Sequence, residues 1–181
     1  TVHTRHEQGS AYMALGAALA TGKPQAFAVV NGPGLLNASA ALLTAYSMNA
    51  PVLALIGEIP SRDIGRNIGH LHELRGQADV IARLVGHSAQ IGSPAEAPRH
   101  VAEAMRAMQT GRRGPAALVC PIDVWGARLQ PVAILLRKTS ADRDMEVGAS
   151  VLQRLQVSEM AVQLVVGVLA DAARVQHHDV G

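Results

Sequence analysis

The sequence has 181 residues, of which 49% are hydrophobic and 17% charged, so its composition is that of a globular protein rather than a disordered one. Lys and Arg number 16 against 14 Asp and Glu, and the basic residues form no stripe interleaved with aromatics, which argues against nucleic-acid binding. No apolar run has the length of a membrane span and no secretory signal opens the sequence. Because a single cysteine excludes a disulfide framework, we expect a cytoplasmic protein in a reducing setting.

The chain opens with residues 1–4, which we interpret as the end of a strand. A helix is predicted from Gly9 to Thr21, because this segment is rich in Ala and Leu and Gly22-Lys23-Pro24 is a typical helix stop. Glu7 lies between the two. Ligands of open α/β sheets bind beyond the carboxyl ends of the strands, so Glu7 is a candidate site residue. The alternative is an ordinary first-turn acid, favoured by the helix dipole.

Three short apolar runs are predicted to be buried strands, at Gln25 to Val30, Pro51 to Ile56 and Pro115 to Cys120. None alternates apolar with polar residues, which is typical of a parallel sheet that is covered on both faces. The helical segment Leu35 to Ser47 is apolar almost all round, so we expect it to be buried. The order of elements predicts the α/β class, with a doubly wound parallel sheet and helices on both faces.

The turn Gly32-Pro33-Gly34 follows the first of these strands and opens the next helix. Its glycines permit a sharp turn and a close approach of the backbone to a ligand. The segment has neither the third glycine of the dinucleotide fingerprint nor the Lys-Ser/Thr of a P-loop, so it matches neither nucleotide motif.

Later in the chain, Ser93 and Pro94 suit the start of a further helix, with Glu96 reaching back as a capping box, and Gly111 suits its end. The residues 85–91 just before it are a weaker strand candidate. The single cysteine, Cys120, excludes an internal disulfide and a cysteine-based zinc cluster. We expect it to be a small core residue, because it ends an apolar run.

Several motifs in a fixed order resemble the N-terminal, pyrimidine-binding domain of thiamine-diphosphate enzymes, and their spacing is similar to that of acetolactate synthase. The motifs are Arg5-His6-Glu7-Gln8-Gly9, Ala20-Thr21-Gly22-Lys23-Pro24, Gly32-Pro33-Gly34 with Asn37, Ala45-Tyr46, Ala50-Pro51-Val52, Gly57-Glu58-Ile59-Pro60, Gly111-Arg112-Arg113-Gly114-Pro115 and Pro121-Ile122-Asp123-Val124. The resemblance implies that residues 1–128 form this domain without the family's first strand-helix unit.

Residues 129–181 look different, with a polar stretch at 137–144 and a loosely amphipathic segment, Met145 to Val175, that we expect to be helical. They are therefore interpreted as a linker and helical tail, whose origin is native, a shifted reading frame or a foreign fusion.

The resemblance implies that Glu7 is catalytic. The family's glutamate hydrogen-bonds N1′ of the aminopyrimidine of thiamine diphosphate and favours the tautomer that removes the proton from C2 of the thiazolium ring. The cofactor then acts as the electron sink for decarboxylation or carboligation of a 2-oxo acid. The resemblance also implies that Gly32, Pro33, Gly34 and Asn37 contact the cofactor.

In the family, a separate domain with a Gly-Asp-Gly…Asn motif holds the diphosphate and Mg²⁺, and we find no such motif in this sequence. The family's active site forms between subunits, which implies a homo-oligomer, at least a dimer, and an inactive chain when it is alone.

On the substrate side, the candidates are Gln8, His70 and His72. Gln8 either faces substrate or lies on the helix surface. The two histidines stand where acetolactate synthases have a phenylalanine and a glutamine, and they are either proton donors or a solvated helix start. Without further ligands nearby they do not make a metal site. The absence of a histidine in Val29-Val30-Asn31 favours a synthase-like pocket over a benzoylformate-decarboxylase-like one.

Three functions remain open at this level. The first is an acetolactate synthase-like transferase or lyase that acts on 2-oxo acids. The second is another lyase or hydrolase of the same superfamily. The third is a non-catalytic α/β module that binds a partner or a nucleotide, although such a module has no need of a carboxylate at the end of a strand.

Overall fold

A four-stranded parallel β-sheet forms the centre of residues 2–127, which are the residues that the computed structural model describes. The helices and strands are α1 (Glu7–Thr21), β1 (Gln25–Val29), α2 (Pro33–Ser47), β2 (Val52–Glu58), α3 (Gln77–Leu84), β3 (His87–Gln90), α4 (Ala97–Ala107), β4 (Ala116–Pro121) and α5 (Ile122–Trp125). Short 3₁₀ turns lie at Ser61–Asp63 and Pro94–Glu96. The predicted α/β class is confirmed. The expected tail, with His177 and His178, lies outside the described residues.

The sheet has the strand order β1-β2-β4-β3, so β2 and β4 are its central strands. Both central strands are buried almost throughout, and β2 pairs with β4 in a register that sets Leu55 beside Leu118. The three apolar runs therefore became strands as predicted, with bounds that differ by one or two residues. The weaker candidate also became a strand, β3, at the sheet edge.

Helices cover both faces of this sheet. Side chains of α1, α2 and α3 form one core cluster with alternate residues of the central strands, namely Val52, Ala54, Ile56, Ala117 and Val119. The intervening strand residues Leu53, Leu55 and Leu118 are also buried but stand outside that cluster, and α4 packs against β3 and β4. Because successive strand residues point to opposite faces, both faces must be covered to bury these runs.

Helix α2 is buried along one side only, so the expectation of burial all round was wrong. Leu42 is fully buried, while the next residue, Leu43, is 49% exposed. A helix packed on one face of a sheet turns its other side outward, whatever residues that side carries.

Replacement of Leu42 by alanine is expected to lower the free energy of unfolding by roughly 2–5 kcal/mol, because it leaves a cavity in the core. Replacement of Leu43 by alanine is the matched control, and its cost should stay below about 1 kcal/mol. Urea denaturation of both variants, followed by circular dichroism, measures the difference. Equal losses would show that the outer side of α2 is also packed.

Two expectations about local structure were wrong. Residues 2–4 form no strand, because none of the described strands pairs with them. The helix expected to run from Ser93 to Gly111 begins as a 3₁₀ turn and ends at Ala107. Glu96 accepts a hydrogen bond from the backbone amide of Gly92 (3.1 Å) rather than completing a capping box at Ser93.

Cys120 is buried, as expected for a core residue. Burial raises the pKa of its thiol to about 12, so the reactive thiolate is scarce at neutral pH. None of the helices in residues 2–127 is long and apolar enough to cross a membrane.

Candidate functional site

The loops at the carboxyl ends of β1 and β2 meet the first turns of α1, α2 and α3. In parallel α/β sheets this edge is where ligands bind. The structure brings most of the predicted site residues together here.

Glu7 is the first residue of α1 and is partly exposed. The amide Nδ2 of Asn37 on α2 donates a hydrogen bond to Glu7 Oε2 at 3.0 Å. Hydrogen bonds from the Glu7 backbone amide and from Asn37 hold the pKa of this carboxyl below its ordinary value. The ring of His6 caps the helix by accepting a hydrogen bond from the amide of Gln8 (3.2 Å). The predicted candidates Glu7 and Asn37 are therefore in direct contact.

If Asn37 is replaced by alanine, we expect the pKa of Glu7 to rise, because one of the two hydrogen bonds that stabilise its charged form is lost. A lowered pKa also means that this bond stabilises the fold above the ordinary pKa of glutamate, and that the stabilisation is lost as the pH falls. Carbon NMR of the carboxyl groups in glutamate-labelled protein measures the change. Glu103, whose pKa Arg99 lowers, is the internal control and should not move.

The turn after β1 is tightly packed at both of its glycines. Gly32 has φ 55° and ψ −109°, a conformation that residues with a side chain rarely adopt, and a Cβ there would overlap the backbone carbonyl of His72. A Cβ on Gly34 would lie 2.8 Å from Cγ2 of Val30. Pro33 is the exposed first residue of α2. The glycines are thus needed for packing of the turn.

Gln77, at the start of α3, is 3% exposed and lies at the centre of a buried hydrogen-bond network. Its Oε1 accepts from the amide of Gly32 (2.8 Å), and its Nε2 donates to the carbonyl of Gly57 (3.0 Å) and to Glu58 Oε2 (2.8 Å). Glu58 Oε1 accepts from the amide of Ile59 (2.9 Å). Burial raises the pKa of the Glu58 carboxyl.

His72 is tied to the Gly32 turn through its backbone. It has a positive φ of 63°, and its carbonyl accepts a hydrogen bond from Nδ2 of Asn31 at 2.8 Å. A left-handed conformation costs energy for a residue with a side chain, so the contacts around His72 hold it in place. The charges of His6 and His72 also lower the pKa of Glu7.

The side chain of His70 contacts Asp63 instead of the Gly32 turn. Its Nε2 lies 2.9 Å from Oδ2 of Asp63, a buried carboxylate whose pKa the hydrogen bond from His70 lowers. Glu73 accepts hydrogen bonds from the amides of Gly69 (2.7 Å) and His70 (2.9 Å), which fixes the loop. A cavity of about 250 Å³ is lined by Asn67, Gly69, His70, Glu73 and Arg75. The structure thus pairs His70 with a carboxylate and does not place it against Glu7.

Gln8 is exposed beside Glu7. Within residues 2–127, no group of three or more His, Cys, Asp or Glu side chains is arranged to hold a metal ion.

Sequence reasoning missed Gln77 and Asp63. Gln77 stands in the stretch Arg75-Gly76-Gln77-Ala78-Asp79, which has the composition of an exposed helix start. Nothing local in that pattern shows that its amide is buried. Asp63 likewise lies among Arg62, Ile64 and Gly65, a composition typical of a solvated loop.

Several known proteins are similar to this chain over two thirds or more of its length. Residues 1–82 match the family model described as thiamine pyrophosphate enzyme, N-terminal TPP binding domain. The chain is 36% identical over 132 residues to a probable 2-ketoarginine decarboxylase of Pseudomonas aeruginosa, covering 73% of this chain and 23% of that protein. It is 35% identical over 130 residues to an acetolactate synthase of Arthrospira platensis (72% and 22%). It is 34% identical over 120 residues to the acetolactate synthase large subunit of Lactococcus lactis (66% and 20%). The chain spans less than a quarter of the length of these relatives.

Proposed function

Since this chain carries the N-terminal thiamine pyrophosphate-binding domain of the acetolactate synthase-like enzymes, we propose that it supplies the aminopyrimidine half of a thiamine diphosphate site. The enzyme of which this site is part acts on 2-oxo acids by decarboxylation or carboligation. The observation that carries the proposal is the contact between Glu7 and Asn37 at the carboxyl edge of the sheet, beside the Gly32 turn.

The residues at this edge fit the aminopyrimidine ring. A carboxylate has about four lone-pair sites, and Asn37 uses one of them at Oε2, so Glu7 retains acceptor capacity for a ring nitrogen that carries a proton. The backbone of the Gly32–Gly34 turn brings amide and carbonyl groups to the same edge. When bound, thiamine diphosphate supplies the electron sink for breaking or forming a carbon–carbon bond next to a carbonyl group.

Each candidate site residue has a defined role in the proposed cofactor site. Glu7 holds a proton at N1′ of the aminopyrimidine, and Asn37 orients the carboxylate for that purpose. Gly32, Pro33 and Gly34 form the backbone wall against the ring. His72, held against the Gly32 turn, and Gln8 lie on the side from which substrate arrives, and His70 lines a cavity formed by the same loop.

The rest of the active site belongs to other parts of the enzyme. We propose that a second domain holds the diphosphate and Mg²⁺, and that the site closes between subunits of a homo-oligomer. The Glu7 carboxylate is partly exposed in this domain. A dry environment, which strengthens electrostatic and hydrogen-bond interactions, therefore depends on the surface that covers this edge.

Calorimetric titration of the intact protein with thiamine diphosphate and MgCl₂ tests the proposal. We expect saturable binding that requires both components, followed by release of carbon dioxide when a 2-oxo acid is added. Failure to bind the cofactor at concentrations up to about 1 mM would contradict the proposal and favour a non-catalytic α/β module.

The likeness to a probable 2-ketoarginine decarboxylase favours a second candidate substrate class, 2-oxo acids with a cationic side chain. Pyruvate and 2-ketoarginine should be compared at equal concentrations in the same assay. Acetolactate formation from pyruvate supports the synthase, whereas carbon dioxide release from 2-ketoarginine alone supports the decarboxylase. Turnover of neither, with cofactor bound, favours another lyase or hydrolase of the superfamily.

A further inference from the structure

The Gln77 network joins three elements that meet at the candidate site. It links the turn after β1, the end of β2 and the start of α3 through one side chain, and each polar atom of that amide has a partner. A buried amide that pairs with one donor and two acceptors at once fixes their geometry, because breaking any of these bonds leaves a buried polar group unpaired.

The peptide that Gln77 holds is the one that starts α2. The Gly32 amide donates to Gln77 Oε1, while the Gly32 carbonyl accepts from the amide of Leu36 at 3.0 Å and so closes the first turn of the helix. Asn37 is the next residue, and it holds Glu7. Three hydrogen bonds, joined by the backbone of Gly32 and of Leu36–Asn37, thus connect Gln77 to the Glu7 carboxylate.

We propose that Gln77 is a positioning residue of the cofactor site, which fixes the Gly32 turn and, through the first turn of α2, the Asn37 amide that orients Glu7. The proposal rests on the proposed function, since the position that Gln77 maintains matters only if this edge binds the aminopyrimidine. Gln77 itself is buried beneath the turn and acts through Gly32.

The same side chain couples the histidine loop to the turn. Gln77 begins α3 directly after the loop, and the carbonyl of His72 packs against Gly32 while it accepts from Asn31. A shift of the backbone at His72 would therefore disturb its packing against the Gly32 turn.

Glutamine is required at position 77 because the groups around it need one acceptor and one donor. With Gln77→Glu, one oxygen still accepts from the Gly32 amide, but the other faces the Gly57 carbonyl and the Glu58 carboxylate. That contact is favourable only when the two carboxyls share a proton. Burial disfavours charge on Glu58, and the charge of Glu73 adds to this, so the shared proton is retained at low pH and lost at high pH.

The experiment measures the dissociation constant of thiamine diphosphate with Mg²⁺ in the intact protein at about pH 6 and about pH 8.5, each as a ratio to wild type. We expect Gln77→Glu to bind within about threefold of wild type at the lower pH and at least about tenfold more weakly at the higher pH. Gln109 is an exposed glutamine after α4, and Gln109→Glu is the matched control. Its dissociation constant for the cofactor should equal that of wild type at both pH values.

The double variant Glu58→Gln with Gln77→Glu separates positioning from general damage. Its new amide can donate to the new carboxylate, so the contact between positions 58 and 77 needs no shared proton, while the Gly57 carbonyl still lacks its donor. We expect it to recover part of the affinity that Gln77→Glu loses at the higher pH. A merely structural role would lower the melting temperature in both variants without this recovery.

A second readout is independent of the cofactor. Gln77→Met preserves the size of the side chain but removes both functions, so hydrogen exchange in the segment containing Gly32 should become faster in the unliganded protein. Unchanged exchange, or a Gln77→Glu affinity equal to wild type at both pH values, would overturn the positioning role alone. Absence of cofactor binding by wild type would instead overturn the proposed function, and with it this inference.

Discussion

Replacement of Glu7 by glutamine is expected to slow the removal of the C2 proton of bound thiamine diphosphate by about 10²-fold or more. A general acid–base group that is placed at its proton contributes an effect of this size. Glutamine keeps the shape of the side chain and can still meet Asn37, but it cannot take up or release a proton. Exchange of the C2 proton for deuterium, quenched in acid and read by NMR, measures the rate directly.

The control for Glu7→Gln is a variant that removes a carboxylate charge outside the candidate site. Glu103→Gln alters a carboxylate on α4 that bonds to Arg99 and has no contact with this edge. Its exchange rate should match wild type, and both variants should bind the cofactor within about tenfold of wild type. An unchanged rate in fully loaded Glu7→Gln protein would remove the catalytic assignment of Glu7.

Replacement of Gly32 by alanine is expected to cost roughly 3–5 kcal/mol of stability and to weaken cofactor binding. The new Cβ would overlap the His72 carbonyl, and the backbone conformation at Gly32 is one that alanine rarely adopts. To relieve the overlap, the turn must move away from the histidine loop, and the hydrogen bond to Gln77 moves with it.

Gly22→Ala provides the matched control. Gly22 also has a positive φ, of 67°, but lies in the left-handed region at the end of α1 with nothing within 4 Å of a Cβ. Its cost should be about 1–2 kcal/mol, from backbone strain alone, and the cofactor affinity should not change. Similar losses in the two variants, measured by urea denaturation, would show that the contact with His72 is not the cause.

The strands and the class of the fold were predictable because a strand that is buried on both faces has a continuous apolar sequence. Runs such as 52–56 and 116–120 contain only apolar residues, and that composition is compatible with a central parallel strand whatever its neighbours are. The end of α1 was predictable from an equally local feature, since Gly22 in the left-handed conformation stops the helix.

Part of the candidate site was predictable for a related reason. The Gly32 turn lies at a strand-to-helix connection, which parallel strands bring to one edge of the sheet. Glu7 was expected at this edge through a strand at residues 1–4, and it lies beside α2 there although residues 2–4 form no strand. The resemblance to a family implied that Asn37 contacts the cofactor, but the hydrogen bond from Asn37 to Glu7 was not predicted, because it depends on how α1 and α2 pack.

The sequence by itself determined the four strands, the helices α1 and α2 and the class of the fold, because apolar runs and helix stops act within a few residues. Only the tertiary structure decided that Gln77 is buried, that His70 turns to Asp63 and that one side of α2 remains exposed. The hydrogen bonds that decide the first two outcomes join residues 45 and 7 positions apart along the chain. No local sequence pattern identifies such partners.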